Sequence, residues 1–231
     1  MKILCIIPAR CGSKGIKDKN IIDVCGKPLI EYSIDQALKL KNNNLIDKVI
    51  VSTDCDTIAN ISVNLGADVP FLRPKDISND KAKSIDFIIH AINFYEQKDI
   101  NYDAILLLQP TSPIRDIKIL KKSIEIFKNN DTNSLISVYQ EEYINDLVMY
   151  TNINNESLKP LNELHNKGVR RQEHGSIYVR NGSVYITKVE YLKKEKQIIS
   201  KNPLFIEMNK NSSINIDTQE DLNLVRNLLC K

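Results

Sequence analysis

The chain has 231 residues, 42% of them hydrophobic and 26% charged, and a formal net charge of +3. That is enough to bury an ordinary core in one domain with a smaller appendage, and acids and bases are mixed along it, which leaves no compositional footprint for nucleic acid or a polybasic membrane contact. After Lys2 an apolar run of only six residues precedes Arg10, too short for a signal-peptide core, and no stretch approaches the ~20 apolar residues of a membrane helix, so the expected location is the cytoplasm.

Five cysteines (Cys5, Cys11, Cys25, Cys55, Cys230) make no CxxC pair. Their odd number predicts reduced thiols, and neither a disulfide framework nor a zinc site.

In chain order, the apolar run at 3–7 predicts a buried strand that stops at Pro8 and feeds a polar loop. Residues 28–40 predict a helix, with Leu29, Ile30, Ile34, Ala37 and Leu38 on one side and Pro28 at its first position. "KVIVSTD" reads as a strand, followed by a helix at 56–65 that ends at Gly66. Ile85, Ile88, Ile89, Ile92 and Tyr95 recur at helical spacing, "AILLLQ" reads as a fully buried strand, and a helix at 117–127 precedes the strand "SLISVY". This alternation predicts an α/β fold with a mainly parallel sheet sandwiched by helices.

Residues 140–175 break the pattern, being polar and poorly periodic. They read as a disordered insert or as an arm that orders against a second subunit. Beyond them, Asn181-Gly182 between two β-prone runs predicts a hairpin, and the strand-like "SINI" leads into a helix at 218–229.

The loop after the first strand carries the first chemical signal. In an open α/β sheet, ligands sit beyond the carboxyl ends of the strands, where a glycine-bearing loop lets backbone N–H groups meet phosphate oxygens and Arg10, Lys14 and Lys19 add charge. The loop has neither GxxxxGK[ST] nor GxGxxG, and a solvated turn is the plainer reading of such a segment taken alone.

The segments "IPARCGSKGIKDKN", "VSTD", "FLRPKDISND", "LLQPTSPIR", "RRQEHGSIYVRNGSVYIT" and "INIDTQEDL" change that balance. Their order and spacing resemble the acylneuraminate cytidylyltransferases, which make CMP-activated nonulosonic acids, and the resemblance covers nearly the whole chain. Other sugar nucleotidyltransferases, including those that activate Kdo, share the first segment in looser form. "LLQPTSPIR" and the "RRQ" stretch are more specific to the sialic-acid branch.

The resemblance implies a Rossmann-like nucleotidyltransferase domain over 1–231, with an arm at 140–180 that forms a homodimer and closes over the sugar site. It implies CTP and a nine-carbon keto-sugar acid as substrates, Mg²⁺ as cofactor and pyrophosphate as product. Arg10, Ser13, Lys14, Lys19 and Asn20 match the triphosphate and ribose loop, and Arg73 and Ser84 match positions near the cytosine and ribose. Gln109 matches the contact to the sugar acid and its attacking hydroxyl, which with Arg10 and Lys14 makes the expected catalytic group. Arg171 and Tyr185 match the acceptor pocket, and Asp217 the metal ligand. Asn215 stands where the family commonly has a second aspartate.

Plainer readings stand beside these. Arg73 before Pro74 also reads as a surface turn, Gln109 as a structural amide, and Tyr185 as packing. Arg170 competes with Arg171. Asp217 followed by Glu220 also reads as a helix cap with its capping-box partner. His90, His165 and His174 show no ligand spacing, and Ser13 and Ser112 have no identifiable base for covalent catalysis. "YQEEYINDLVMY" stands where the family often has His-Pro, and "RRQEHG" replaces its common Leu-Pro, so the acceptor among sialic, legionaminic and pseudaminic acids stays open. Kdo with CTP, a sugar phosphate with GTP, and a catalytically silent subunit are the alternatives.

Overall fold

In strand β1 (Ile3–Pro8) the side chains divide by parity. Ile3, Cys5 and Ile7 enter one core with Ile30, Ile34 and Leu40 of helix α1 (Leu29–Asn42) and with Ile124 and Phe127 of α4 (Ile117–Asn129). Leu4 and Ile6 enter a second core with Phe87, Ile88 and Ile92 of α3 (Ser84–Glu96) and Leu192 of α5 (Val189–Glu195). A strand apolar at both parities is one covered on both faces, each fully buried Ile or Leu contributing about 1.5–3 kcal/mol. The computed structural model describes residues 1–13, 15–142, 144–154, 156–167 and 176–230.

Besides β1, the central sheet contains β4 (Lys48–Ser52), β5 (Ala104–Leu107), β6 (Ser134–Glu141), β9 (Ile177–Lys188) and β10 (Leu204–Glu207). Their order is β10-β6-β9-β5-β1-β4. β1 pairs in parallel with β4 and β5, and β6 in parallel with β10, whereas β9 runs antiparallel between β5 and β6. The sheet is therefore mainly parallel, as the alternation predicted. Because β1 has β4 on one side and β5 on the other, the chain reverses direction across the sheet at β1, which opens a crevice at the strands' carboxyl ends. Helix α2 (Asp56–Asn64) follows β4, and two small antiparallel pairs lie outside the sheet: β2 (Asp23–Val24) with β3 (Lys27–Pro28), and β7 (Tyr150–Asn152) with β8 (Leu158–Pro160).

Several expectations are corrected. Asn181-Gly182 makes no hairpin: β9 runs straight through it, and the pairing advances from Ile136 to Val138 on β6 while it retreats from Tyr185 to Arg180 on β9. The dipeptide forms a bulge, with Gly182 at φ +75° and the buried Asn181 amide taking a hydrogen bond from Ser137 Oγ at 2.5 Å. Left-handed backbone suits an Asn-Gly hairpin turn and a bulge equally, so the local sequence did not separate them.

The thiols are not all reduced. Cys25 and Cys230 are joined by a disulfide with a Cα–Cα distance of 5.2 Å, because α6 (Gln219–Leu229) ends against the β2–β3 turn. Third, "SINI" is not a strand; Ile216 is held by its N–H donating to Thr111 O at 2.8 Å.

Last, the cap of α6 is Thr218, whose Oγ1 accepts from the Asp221 N–H at 3.2 Å while Asp221 Oδ2 accepts from the Thr218 N–H at 2.7 Å. The capping box lies one residue beyond Asp217 and Glu220, which frees the Asp217 side chain for another role. Pro28 likewise caps α1 instead of occupying its first turn.

Candidate active site

The crevice is a cleft of about 410 Å³, and much of the nucleotide group expected from sequence lines it. Arg10 and Ser13 come from the β1 exit, Lys19 and Asn20 from the 3-10 turn after the loop, Arg73 and Ser84 from the segment leading into α3, Gln109 from the β5 exit, and Asp217 from the approach to α6. Lys14 and Arg171 lie outside the described residues.

Each position has a physical cause. Gly15 lets the loop lie on the Asp217 segment, since a Cβ there would sit 2.5 Å from the Asp217 carbonyl oxygen. Lys19 straps the two together, its Nζ donating to Ile216 O at 2.7 Å and lying 3.2 Å from Asp217 Oδ1. Asn20 is buried and donates to Arg10 O at 3.1 Å, which shapes the backbone ahead of the loop. Arg10 reaches Asp80 Oδ1 at 2.6 Å.

Arg73 is no surface turn residue. It is 5% exposed, its Nε donates to Ser52 Oγ at 3.1 Å and its Nη2 to Ser52 O, and its guanidinium stacks 4.6 Å from the Phe87 ring centroid. Burial pushes it down to about 10, so it is still a cation at neutral pH. Being fixed before any ligand arrives, it is a preorganised donor at the cleft wall.

Gln109 joins this cleft to a second cavity of about 490 Å³ that also holds Ser84, Tyr185, Arg180, Lys196 and the apolar walls Leu107, Ile198 and Ile199. The antiparallel β9 sets Tyr185 opposite Leu107, which brings the Gly182 bulge beside the Gln109 amide. A Cβ on Gly182 would sit 3.1 Å from Gln109 Oε1, so the glycine is needed for space as well as for its φ. Burial raises the Tyr185 phenol, and Arg180 lies 6.0 Å from the centroid of its ring.

Asn215 lines neither cavity but is part of the frame, donating from Nδ2 to Asp217 Oδ2 at 2.6 Å. Its Oδ1 is 3.4 Å from Ser112 Oγ, which is also 3.5 Å from Asn181 O. A polar chain therefore runs from the β9 bulge through Ser112 and Asn215 to Asp217. Ser112 is a link in that chain, consistent with its reading as a non-nucleophile. Residues 215 and 217 share a face, as expected, although they do so without strand geometry.

Sequence reasoning assigned nothing to Arg180, Lys196 or Arg115. Lys196 ends α5 with φ +54° and carries no motif, and Arg180 was hidden within the supposed hairpin. Arg115 closes "LLQPTSPIR" and is 7% exposed. Its donors meet four neutral oxygens: Ser183 O at 2.8 Å, Ser33 Oγ and Gln36 Oε1 at 3.1 Å each, and Gln109 O. Burial pushes it down to about 9. It clamps the β5 exit and the β9 bulge to α1, and through them sets the Gln109 backbone. An apolar run ending in Pro-x-Arg gives no hint of this, because the partners are backbone atoms and neutral side chains.

Substituting Arg115 by Met should leave several buried acceptors unpaired, at about 1–3 kcal/mol each, and so remove roughly 2–4 kcal/mol of stability. Calorimetry should show a thermal midpoint lower by roughly 5–15 °C. A midpoint within a degree of the parent would mean that water replaces the guanidinium at no cost.

Asp217 is 67% exposed at its side chain and faces the cleft, with the Asn215 amide beside it. Mg²⁺ typically takes one or two carboxylates and completes its shell with water and substrate phosphates, and this donor set fits that mode and no dedicated protein cage. Among the described residues there is no cluster of three or more His, Cys, Asp or Glu with metal-binding geometry.

Comparison with known proteins agrees with this geometry. The family profile described as "Cytidylyltransferase" matches residues 4–229. A "Pseudaminic acid cytidylyltransferase" of Campylobacter jejuni is 35% identical over 226 residues, covering 98% of this chain and 95% of that protein. A "CMP-N,N'-diacetyllegionaminic acid synthase" of Legionella pneumophila is 34% identical over 230 residues, covering 99% and 97%. An "N-acylneuraminate cytidylyltransferase" of Streptococcus agalactiae is 32% identical over 223 residues, covering 96% of this chain and 52% of that protein.

Among solved structures, a CMP:2-keto-3-deoxy-manno-octonic acid synthetase complexed with CTP superposes with a TM-score of 0.73 at 17% identity, covering 99% of this chain and 98% of the other. This likeness shows the shared Rossmann-like fold. A profile spanning nearly the whole chain, and relatives above 30% identity end to end, show that this protein belongs to the cytidylyltransferase family of nucleotidyltransferases.

Proposed function

We propose that the protein transfers CMP from CTP to the anomeric hydroxyl of a nonulosonic acid. The observation that carries this reading is the pair of cavities meeting at Gln109, one lined by Arg10, Lys19, Arg73 and Asp217 and the other by Tyr185, Arg180 and Lys196. The first suits a triphosphate, needing fixed cations and one carboxylate; the second suits a sugar acid, with cations for its carboxylate and apolar walls for its acyl groups. Relatives named for pseudaminic and legionaminic acids over nearly the full length support the same class.

In this reading Arg10 and Lys19, with Lys14, hold the phosphates, Asn20 and Ser13 shape the loop around ribose and triphosphate, and Arg73 and Ser84 face the nucleoside. Gln109 stands at the junction, where its amide orients the acceptor hydroxyl for in-line attack on the α-phosphorus. Proximity and charge stabilisation then carry the rate more than proton transfer. Asp217, flanked by Asn215, would hold Mg²⁺, which when bound neutralises charge on the departing pyrophosphate. Tyr185 lines the acceptor pocket, and Arg171 is assigned to the acceptor by the resemblance alone. Use of CTP, an intracellular nucleotide, supports the cytoplasmic location expected from the sequence.

Incubation with each of four nucleoside triphosphates and a panel of sialic, legionaminic, pseudaminic and Kdo acids tests the reading. Mass spectrometry should find a CMP conjugate of a nine-carbon acid with CTP alone. A Kdo conjugate or a GTP product would replace it, and no product from any pair would indicate a silent subunit.

The segment at 140–180 is proposed to seal a homodimer. In support, Ile144, Val148, Met149, Tyr150, Ile153, Leu158, Leu161 and Leu164 are all exposed large apolar residues within one excursion from the sheet, far more than solvent favours on a free arm. Sedimentation should give a dimer at micromolar concentration, and Leu158→Glu with Leu161→Glu should shift it toward monomer. A monomeric parent would end the proposal.

A further inference from the structure

Three cysteines stand outside the Cys25–Cys230 bridge, and two of them sit together at the nucleotide loop. Cys11 is exposed and Cys55 half-buried, and both line a small cavity of about 230 Å³ that shares Arg10 and Asn20 with the main cleft. The two face the same small space, Cys11 from the loop after β1 and Cys55 from the start of α2. The backbones are latched beside them, since the Cys11 N–H donates to Asp54 Oδ1 at 2.8 Å. Cys55 also caps α2, so it is anchored to a rigid element while Cys11 rides on a loop. Cys5, fully buried in β1, is out of reach of solvent.

We propose that Cys11 and Cys55 form an oxidisable dithiol, a modification site for peroxide-class oxidants that converts to an intramolecular disulfide and thereby pulls the nucleotide loop against the β4–α2 turn. The step balances with one peroxide. One thiol is oxidised to a sulfenic acid with release of water; the neighbouring sulfur attacks it, the S–O bond breaks, a second water leaves and the S–S bond forms. Two thiols and H₂O₂ give one disulfide and two waters.

A disulfide fixes its sulfurs about 2.05 Å apart and its Cα atoms within about 4.4–6.8 Å, so linkage ties Cys11 and the loop it rides on to the start of α2. Arg10 is the preceding residue, and its guanidinium reaches Asp80 in the lining of the cleft. Holding the neighbouring backbone limits how that guanidinium can turn toward a bound triphosphate. The functional part of this inference rests on the reading of the cleft as a CTP site; the chemistry of the thiol pair does not.

Contact with Cys55, ahead of burial and the charges of Asp54 and Asp18, pushes the Cys11 thiol up to about 11. Oxidation is therefore run with excess hydrogen peroxide as a series from about pH 7.5 to about pH 9.5, the thiolate fraction rising with each step. After blocking of free thiols and proteolysis, mass spectrometry should find the Cys11 and Cys55 peptides linked and lighter by two hydrogens. CTP-dependent pyrophosphate release should fall about fivefold or more and return with dithiothreitol, while Cys11→Ser and Cys55→Ser should give no linked peptide and resist peroxide. Absence of the linked peptide from the parent overturns the dithiol. Linkage without loss of activity, or equal loss in Cys55→Ser, overturns its effect on the loop. A parent with no activity before oxidation counts against the cytidylyltransferase reading alone, because the linked peptide is measured independently.

Discussion

Replacing Lys19 with alanine should lower kcat by about 30- to 1000-fold, the loss of roughly 2–4 kcal/mol that follows removal of one preorganised donor from a charge-developing site. The Lys19 side chain is only 14% exposed and its ammonium is already positioned by Ile216 O and Asp217, so much of its desolvation and ordering precedes substrate binding. In the proposed reaction negative charge builds on the bridging and pyrophosphate oxygens, and a cation fixed beside them stabilises that state more than the bound ground state. The effect should therefore fall mainly on kcat.

Lys19 is also a strap, and the two roles separate by measurement. The strap is a partly exposed ion pair and one hydrogen bond to backbone, worth about 1–2 kcal/mol together, so Lys19→Ala should shift the thermal midpoint by only a few degrees. Lys19→Arg restores charge and a donor and should recover part of the rate. Loss of activity that scaled with loss of folded protein, with no recovery in the arginine variant, would assign Lys19 to structure alone.

What the sequence disclosed follows from which interactions are local. Apolar periodicity located β1, α1, β4, α3, β5 and α4, because the burial that makes those elements acts within one turn or one pleat. The gathering of Arg10, Lys19, Arg73, Gln109 and Asp217 in one cleft was legible only through the resemblance, since nothing at those positions alone predicts that segments as far apart as Arg10 and Asp217 converge. Composition misled on the thiols, where pairing depends on α6 ending at the β2–β3 turn. It misled again at Asn181-Gly182, where a left-handed glycine is used for a bulge that serves Gln109. Arg115 was invisible for a related reason: a buried cation satisfied by carbonyls leaves no paired acid to notice.

The pair Asn215 and Asp217 gives the sharper test of metal dependence. Asp217 directs Oδ1 to Lys19 and Oδ2 to Asn215, with both partners acting as donors, so the carboxylate is oriented at the cleft. Asp217→Asn removes the one charge available there for Mg²⁺ among these residues, and the Mg²⁺ concentration for half-maximal rate should rise by an order of magnitude or more. Stability should hardly change, because Asp221 accepts the backbone N–H groups of residues 217 and 218 and Thr218 supplies the cap, none of which uses the Asp217 side chain.

Asn215→Asp should act in the opposite sense. It replaces a donor 2.6 Å from Asp217 Oδ2 with a second carboxylate, creating like-charge repulsion when no cation is present. The thermal midpoint of this variant should drop in chelator and recover on adding Mg²⁺, by more than in the parent, and its half-maximal Mg²⁺ concentration should fall. Pyrophosphate release titrated against Mg²⁺ for the parent and both variants, with a melting series at each concentration, measures both effects. If the Mg²⁺ curve of Asp217→Asn overlays that of the parent, the ion is carried by the nucleotide alone, and the chain from Ser112 through Asn215 to Asp217 is a frame for the loop and not a ligand set.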